Sequence, residues 1–249
     1  MGAPSNYPRE GAGFGTARAP GVADIGRAWA IITADLGQWV LVSLVTLLIY
    51  FVFAVPVQFI NAVLLGNMRG NEATGFVASS VLSMLTSIVP VTIYTALFAS
   101  MALMGRRASY GEPVGIADLF ATLPQLLPLM GVSLLVTLIT LIGYILCIIP
   151  GLIAYALFGL ATIVCADQKL PVMASLQWCL DRVRPHIWPM LGLVIVASIV
   201  AGVGVLLCGV GILITLPIYP IVLGLTYDRF VPLRPVAYAN APFPNPPAS

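Results

Sequence analysis

The chain has 249 residues, of which 60% are apolar and 8% charged, with a net charge of +2 and a mean hydropathy of +1.03. Soluble globular domains carry charge on about a quarter of their residues, so this composition excludes them and indicates a membrane protein. Four cysteines with no C-x-x-C pair, and one histidine in the whole chain, exclude the usual zinc and thioredoxin-like spacings; no metal and no cofactor is expected.

Residues 1–23 hold Pro4, Pro8 and Pro20 and no apolar run. They read as a disordered cytoplasmic tail, since a secretory signal would need a short apolar core after a basic start. The GAGFG at 11–15 has neither a strand before it nor a βαβ unit after it, and reads as linker instead of a nucleotide loop.

A first unit spans residues 24–107. Its lead-in places Ile25, Trp29 and Ile32 on one helical face and Asp24, Arg27 and Asp35 elsewhere, the pattern of a helix lying along the headgroups. Spans are predicted at 39–65 and 77–104, with an outer excursion over 57–89. That excursion carries a polar seam of Gln58, Asn61, Ser79, Ser83, Thr86 and Ser87. Two readings of it stand: a lining for an outer cavity or narrow pore, or small hydroxylated residues that let helices approach and bond across an interface.

The second unit, 118–167, contains the uncharged stretch from Gln125 to Ala166. As helix it would be about 63 Å long at about 1.5 Å per residue, whereas one crossing takes about 20 residues. Two spans are therefore expected, with Pro150-Gly151 of the run GYILCIIPG as the hairpin turn, because proline withholds a donor and glycine turns freely. The third unit, 179–229, repeats the arrangement from Pro189 to Thr226, interrupted at Cys208–Gly211. Its lead-in, 174–183, sets Leu176, Cys179 and Leu180 against Asp181, Arg182 and Arg184. Trp39, Trp178 and Trp188 fall near predicted boundaries, where indoles prefer to lie. Residues 230–249 contain six prolines and read as a second disordered cytoplasmic tail. The expected fold is all-α and polytopic: six transmembrane helices as three repeated hairpins with amphipathic cytoplasmic lead-ins.

With the amino tail inside, cytoplasmic segments hold Arg9, Arg18, Arg27, Arg106, Arg107, Lys169, Arg182, Arg184, Arg229 and Arg234, leaving Arg69 alone outside. Short loops rich in Lys and Arg stay in the cytoplasm, so both termini are expected there, in a bacterial inner membrane. The two later outer turns carry no charge, and their backbone must be satisfied by neighbouring helices or at the interface.

Fixed offsets relate the units. At 61, Pro124, Pro128, Gly131, Gly143, Cys147 and Asp167 pair with Pro185, Pro189, Gly192, Gly204, Cys208 and Asp228. At 94, Asp24, Gly37, Thr46, Tyr50 and Pro56 pair with Asp118, Gly131, Thr140, Tyr144 and Pro150; at 60, Pro90, Ile93 and Ala96-Leu97-Phe98 pair with Pro150, Ile153 and Ala156-Leu157-Phe158. The first unit thus carries 34 extra residues on its outer side.

From Pro150 to Gly192 the chain resembles the YciC-like proteins and the membrane domain attached to some glycerophosphodiester phosphodiesterases. The likeness lies in Pro150-Gly151 opening a helix, Asp167 ending it, the stretch SLQWCLDRVRPHIW at 175–188, and Gly192 in the next span, with Cys179 where a serine is usual. The resemblance implies a six-helix membrane domain without an established catalytic site. No soluble phosphodiesterase domain is present, so the enzymatic label of some relatives is not carried over.

No Asp, Glu, Lys, Arg or His falls in a predicted hydrocarbon segment, which argues against a proton-driven pump. Arg106, Arg107, Arg182, Arg184 and Arg229 form a candidate rim for anionic headgroups, with His186 beside it. Cys147 and Cys208 read either as a disulfide or as two buried small residues at a helix contact, and Cys165 and Cys179 as free thiols on the reducing side. The expected function is a non-catalytic scaffold or assembly factor that binds lipid or a partner, either another membrane protein or a second copy, and no nucleic acid. The alternatives are a carrier or channel for a small neutral or amphipathic solute, and membrane shaping by the short second helices Gly151–Ala166 and Gly211–Thr226, each about 24 Å long.

Overall fold

The computed structural model describes residues 21, 23–67, 72–206 and 210–231, all of whose regular elements are helical. In chain order these are α1 (Ala23–Ala34), α2 (Leu36–Asn67), α3 (Glu72–Ala108), α4 (Ile116–Leu119), α5 (Leu126–Leu146), α6 (Ile148–Phe158), α7 (Ala161–Gln168), α8 (Val172–Val183), α9 (Ile187–Leu206), α10 (Val210–Thr215) and α11 (Ile218–Phe230). The tails, the glycine run at 11–15, Arg69 and Cys208 lie outside the described residues.

Six segments are long and apolar enough to cross a bilayer: Leu36–Val63, Thr86–Ala108, Ile116–Leu146, Ile148–Gln168, Val172–Gly202 and Gly211–Phe230. They form three consecutive pairs. In each pair the second member is the more buried, 56%, 50% and 56% of its most apolar stretch against 17%, 22% and 22% for the first. The less buried member is also the more apolar, with mean hydropathies of 2.7 against 1.8, 2.3 against 2.2 and 1.7 against 1.4. In water the exposed helix would be the polar one; here lipid is the solvent. The protein is a polytopic, all-helical membrane protein, with an inner trio (α3, α6–α7, α11) and an outer trio (α2, α5, α9).

Helix α3 packs closely on α11, where a Cβ on Gly224 would lie 2.0 Å from the Ala102 carbonyl oxygen. Small residues at such crossings let backbones approach in lipid, where no hydrophobic effect drives helices together. The fourth and sixth spans run 21 and 20 residues, about 30 Å, enough to cross. The sixteen-residue lengths read from sequence were too short because the return helix starts at Ile148, three residues before Gly151, and the inner helices continue to Gln168 and Phe230.

The reversal in the second hairpin is a single residue. Cys147 is extended (φ −175°, ψ 156°) between α5 and α6, and Pro150-Gly151 lies inside the first turn of α6. The expected Pro-Gly turn is thereby corrected. Proline is tolerated there because first-turn amides have no helical acceptor to lose, and the glycine serves packing. A Cβ on Gly143 would stand 2.8 Å from the Gly151 Cα, and one on Gly151 would stand 2.5 Å from the Tyr144 ring. Cys147 is free and exposed, neither bonded nor buried at a helix contact. Pro128 and Pro189 likewise sit in the first turns of α5 and α9, and Pro124 and Pro185 each take the second position of a 3₁₀ turn, Leu123–Gln125 and Arg184–His186, that joins a lead-in to its span.

The first hairpin is longer. Pro56 and Pro90 sit within α2 and α3, of 32 and 37 residues. Across the excursion read at 57–89, helix is described on both sides of residues 68–71. The lead-ins also differ from expectation. In α1 the buried face is Asp24, Ala28, Ile31 and Ile32, while Trp29 is 49% exposed. Asp24 turns inward because Arg229 of α11 neutralises it. In α8 the buried set is Ser175, Leu176, Cys179 and Val183, with Leu180 exposed.

Gly143→Ala should destabilise the protein by about 1–3 kcal/mol, the cost of overpacking a filled contact, whereas Gly192→Ala, where an added Cβ meets nothing within 4 Å, should leave stability unchanged. Thermal unfolding in detergent compares the two.

Candidate functional site

The polar seam closes upon itself. Asn61 is buried, and its Nδ2 donates to Thr86 Oγ1 at 2.9 Å across the α2–α3 pair. Thr86 Oγ1 in turn donates to the Leu82 carbonyl at 2.8 Å, and Ser87 Oγ to the Ser83 carbonyl at 2.6 Å. Such back-bonding satisfies a hydroxyl within its own helix. Gln58 is exposed on α2, and the side chain of Ser79 lies outside the described residues. The structure therefore brings Asn61 and Thr86 together as a clasp, with Gln58 apart from it.

Most of the chemistry is gathered at one end of the molecule, where the second member of each pair terminates. Arg106, near the end of α3, is 1% exposed. Its Nη1 donates to Asp167 Oδ2 and its Nε to Asp228 Oδ1, both at 2.9 Å, and its Nη2 to the Val231 carbonyl. Tyr227 Oη donates to the same oxygen of Asp167 at 2.7 Å, and Tyr110 Oη to Asp228 at 2.7 Å. Gln168 Nε2 donates to Tyr227 Oη at 2.9 Å, and the guanidinium lies 4.8 Å over the Tyr227 ring. A planar fork with five donors is suited to holding two carboxylates and a carbonyl at once.

Two further arginines of the expected rim are also engaged. Arg229 pairs with buried Asp24, tying α1 to α11. Arg107 reaches Glu112 at 3.0 Å and Asp118 at 2.8 Å, while Asp118 also accepts the Gly115 amide that opens α4. The rim of five is corrected accordingly: Arg106 is a buried ion-pair centre with no surface left for a headgroup. Arg182 and Arg184 are exposed. Arg182 lies 5.5 Å over the Trp178 ring and donates to the Phe230 carbonyl, and Arg184 makes no ion pair among the described residues. Lys169 is exposed beyond α7, and Trp188 is 74% exposed on α9. His186 sets its ring against Phe230 at 5.9 Å, and Cys165 and Cys179 are free and buried.

Sequence reasoning had aligned Asp167 with Asp228 without seeing their common partner. The signal was present, since Arg106 lies 61 residues before Asp167 and 122 before Asp228, one and two times the offset found in the sequence. Among the described residues, no group of three or more His, Cys, Asp or Glu is placed to hold a metal ion. No family model, curated protein or solved structure matches the chain.

Arg106→Met leaves two carboxylates facing each other without their cation. It should destabilise by about 3 kcal/mol, the low end for a broken buried pair, because Asp167 and Asp228 keep 29% and 20% of their side chains exposed. Arg106→Lys should recover only part of that, since an ammonium cannot span three acceptors. Arg184→Gln should leave the unfolding midpoint in detergent unmoved.

Proposed function

We propose that the charged end faces the cytoplasm of a bacterial inner membrane and that the protein is a non-catalytic scaffold, which binds anionic headgroups there and presents its apolar helices to lipid or to a membrane partner. The observation that carries this reading is the sorting of the cations. Carboxylates hold Arg106, Arg107 and Arg229, whereas Arg182, Arg184 and Lys169 remain exposed, as does Trp188 on α9. Exposed basic side chains beside an indole suit the headgroup layer. The resemblance to the YciC-like proteins agrees with this reading and is part of the proposal. The Asn61–Thr86 clasp favours packing over a solute pathway along the seam, so the carrier reading gains nothing from those residues.

Native mass spectrometry of the protein extracted with its lipids should show retained anionic phospholipid. At about 1 kcal/mol per basic residue, Arg182→Gln, Arg184→Gln and Lys169→Gln together should weaken the affinity for retained anionic phospholipid about a hundredfold or more. Unchanged lipid retention in the triple variant would sink the headgroup reading, and turnover of a lipid ester by the purified protein would sink the non-catalytic one.

A further inference from the structure

A cleft of about 290 Å³ opens between α3, α6, α9, α10 and α11, lined among others by Tyr94, Phe98, Tyr155, Ser198, Thr215 and Tyr219. No charged side chain lines it. Its walls are aromatic: Tyr94 tilts against Phe98 at 6.3 Å, Phe98 against Tyr219 at 5.7 Å, and the rings of Tyr155 and Tyr219 are parallel within 10° at 6.5 Å. Counting along α6–α7 and α11, Tyr155 and Tyr219 lie about 17–20 Å of helix from the charged end, within the hydrocarbon of a bilayer about 30 Å thick.

One feature of this cleft calls for a ligand with an acceptor oxygen. Tyr219 Oη and Tyr155 Oη are 2.9 Å apart; the pair has two protons and shares one, so a donor is left over at a depth where water does not supply an acceptor. The neighbouring span only kinks there: Pro217 keeps right-handed helical dihedrals (φ −75°, ψ −15°), the Leu216 amide donates to the Ile212 carbonyl at 2.8 Å and the Ile221 amide to the Pro217 carbonyl at 3.0 Å, and Leu216 lines the cleft. The hydroxyl of Thr215 is already satisfied by the Ala201 and Gly211 carbonyls, so the spare donor belongs to the tyrosines.

We propose that the cleft binds a neutral, lipid-soluble compound that carries carbonyl oxygen on a flat ring, the quinone class, entering from the bilayer. Aromatic walls favour offset stacking of a flat ring. The uncharged lining disfavours an ionised ligand, and the volume sits at the lower end for small-molecule pockets, about 300 Å³, which suits a ring and a short stem better than a whole phospholipid. A saturated acyl chain would fill space but accept no proton from Tyr155 or Tyr219. Binding alone is inferred, with no electron transfer.

The test is titration of the full chain, in nanodiscs of zwitterionic lipid, with a decyl-substituted benzoquinone, followed by quenching of intrinsic fluorescence and checked by retention in native mass spectrometry. Saturable binding is expected. The double variant Tyr155→Phe/Tyr219→Phe, which keeps both rings and removes both donors, should weaken it about fivefold to tenfold, the share of one hydrogen bond. Ser198→Phe, which fills the mouth, should abolish binding while the unfolding midpoint stays near that of the parent. Decylbenzene, which keeps a ring and the chain but carries no oxygen, should compete about fivefold to tenfold less well. The proposal is overturned by absence of saturation, by equal affinity in the parent and the double phenylalanine variant, or by competition from the hydrocarbon as effective as from the quinone.

Discussion

Arg106 holds the ends of three inner helices with one guanidinium, and much of the charged end is arranged around that fact. Its two carboxylates terminate the fourth and sixth spans, and its carbonyl partner lies just past the last helix. A buried ion pair is weak evidence for stability when compared with an apolar replacement. Its value here is geometric. In lipid, helices gain little from apolar contact with one another, so a slide or rotation of one inner span costs little unless something directional resists it. Three charge-assisted bonds in one plane resist both, and the hydroxyls of Tyr227 and Tyr110 bind the carboxylates from the far side.

The same need explains the rest of that end. Aspartate 24 is wholly buried, which would be untenable without Arg229. Together they bring α1 against α11, the helix that also carries Asp228 and the Phe230 carbonyl taken by Arg182. The carboxyl end of α11 thus collects contacts from α1, α3 and α8, and cations are favoured at a helix C-terminus, where free carbonyls carry partial negative charge. At the opposite end the second reversal carries no charge, and packing takes over. The α5–α6 reversal closes on Gly143 and Gly151, with the Tyr144 ring against the second.

The six spans and the helical class were legible because their signals are summed over twenty residues, where composition dominates. The Pro-Gly turn was misread because proline marks two places, the inside of a tight turn and the first turn of a helix, and the run GYILCIIPG permits both. The lead-in α1 was misread for a different reason. Periodicity sorts residues by polarity, so Asp24 went to the outside, and only its long-range partner Arg229, 205 residues on, reverses that assignment. The polar seam was found by type and spacing, yet which members meet depended on how α2 and α3 face each other, which no one-dimensional pattern carries. Arg106 was placed on the rim for the same reason, although the offset that aligned Asp167 with Asp228 pointed back to it.

The orientation we propose and the internal pairing of Arg106 are compatible because they act at different times. The bias that keeps basic segments in the cytoplasm operates as spans insert, when it counts Lys and Arg and takes little notice of Asp and Glu. At that stage Arg106 still lacks the carboxylates that later hold it, since Asp167 and Asp228 belong to the fourth and sixth spans. In the proposed orientation Arg106 directs insertion first and joins the helices afterwards. Moving Arg106 to a neighbouring residue would keep its first role and lose its second, because insertion reads charge over a whole segment while the guanidinium must reach two carboxylates at 2.9 Å.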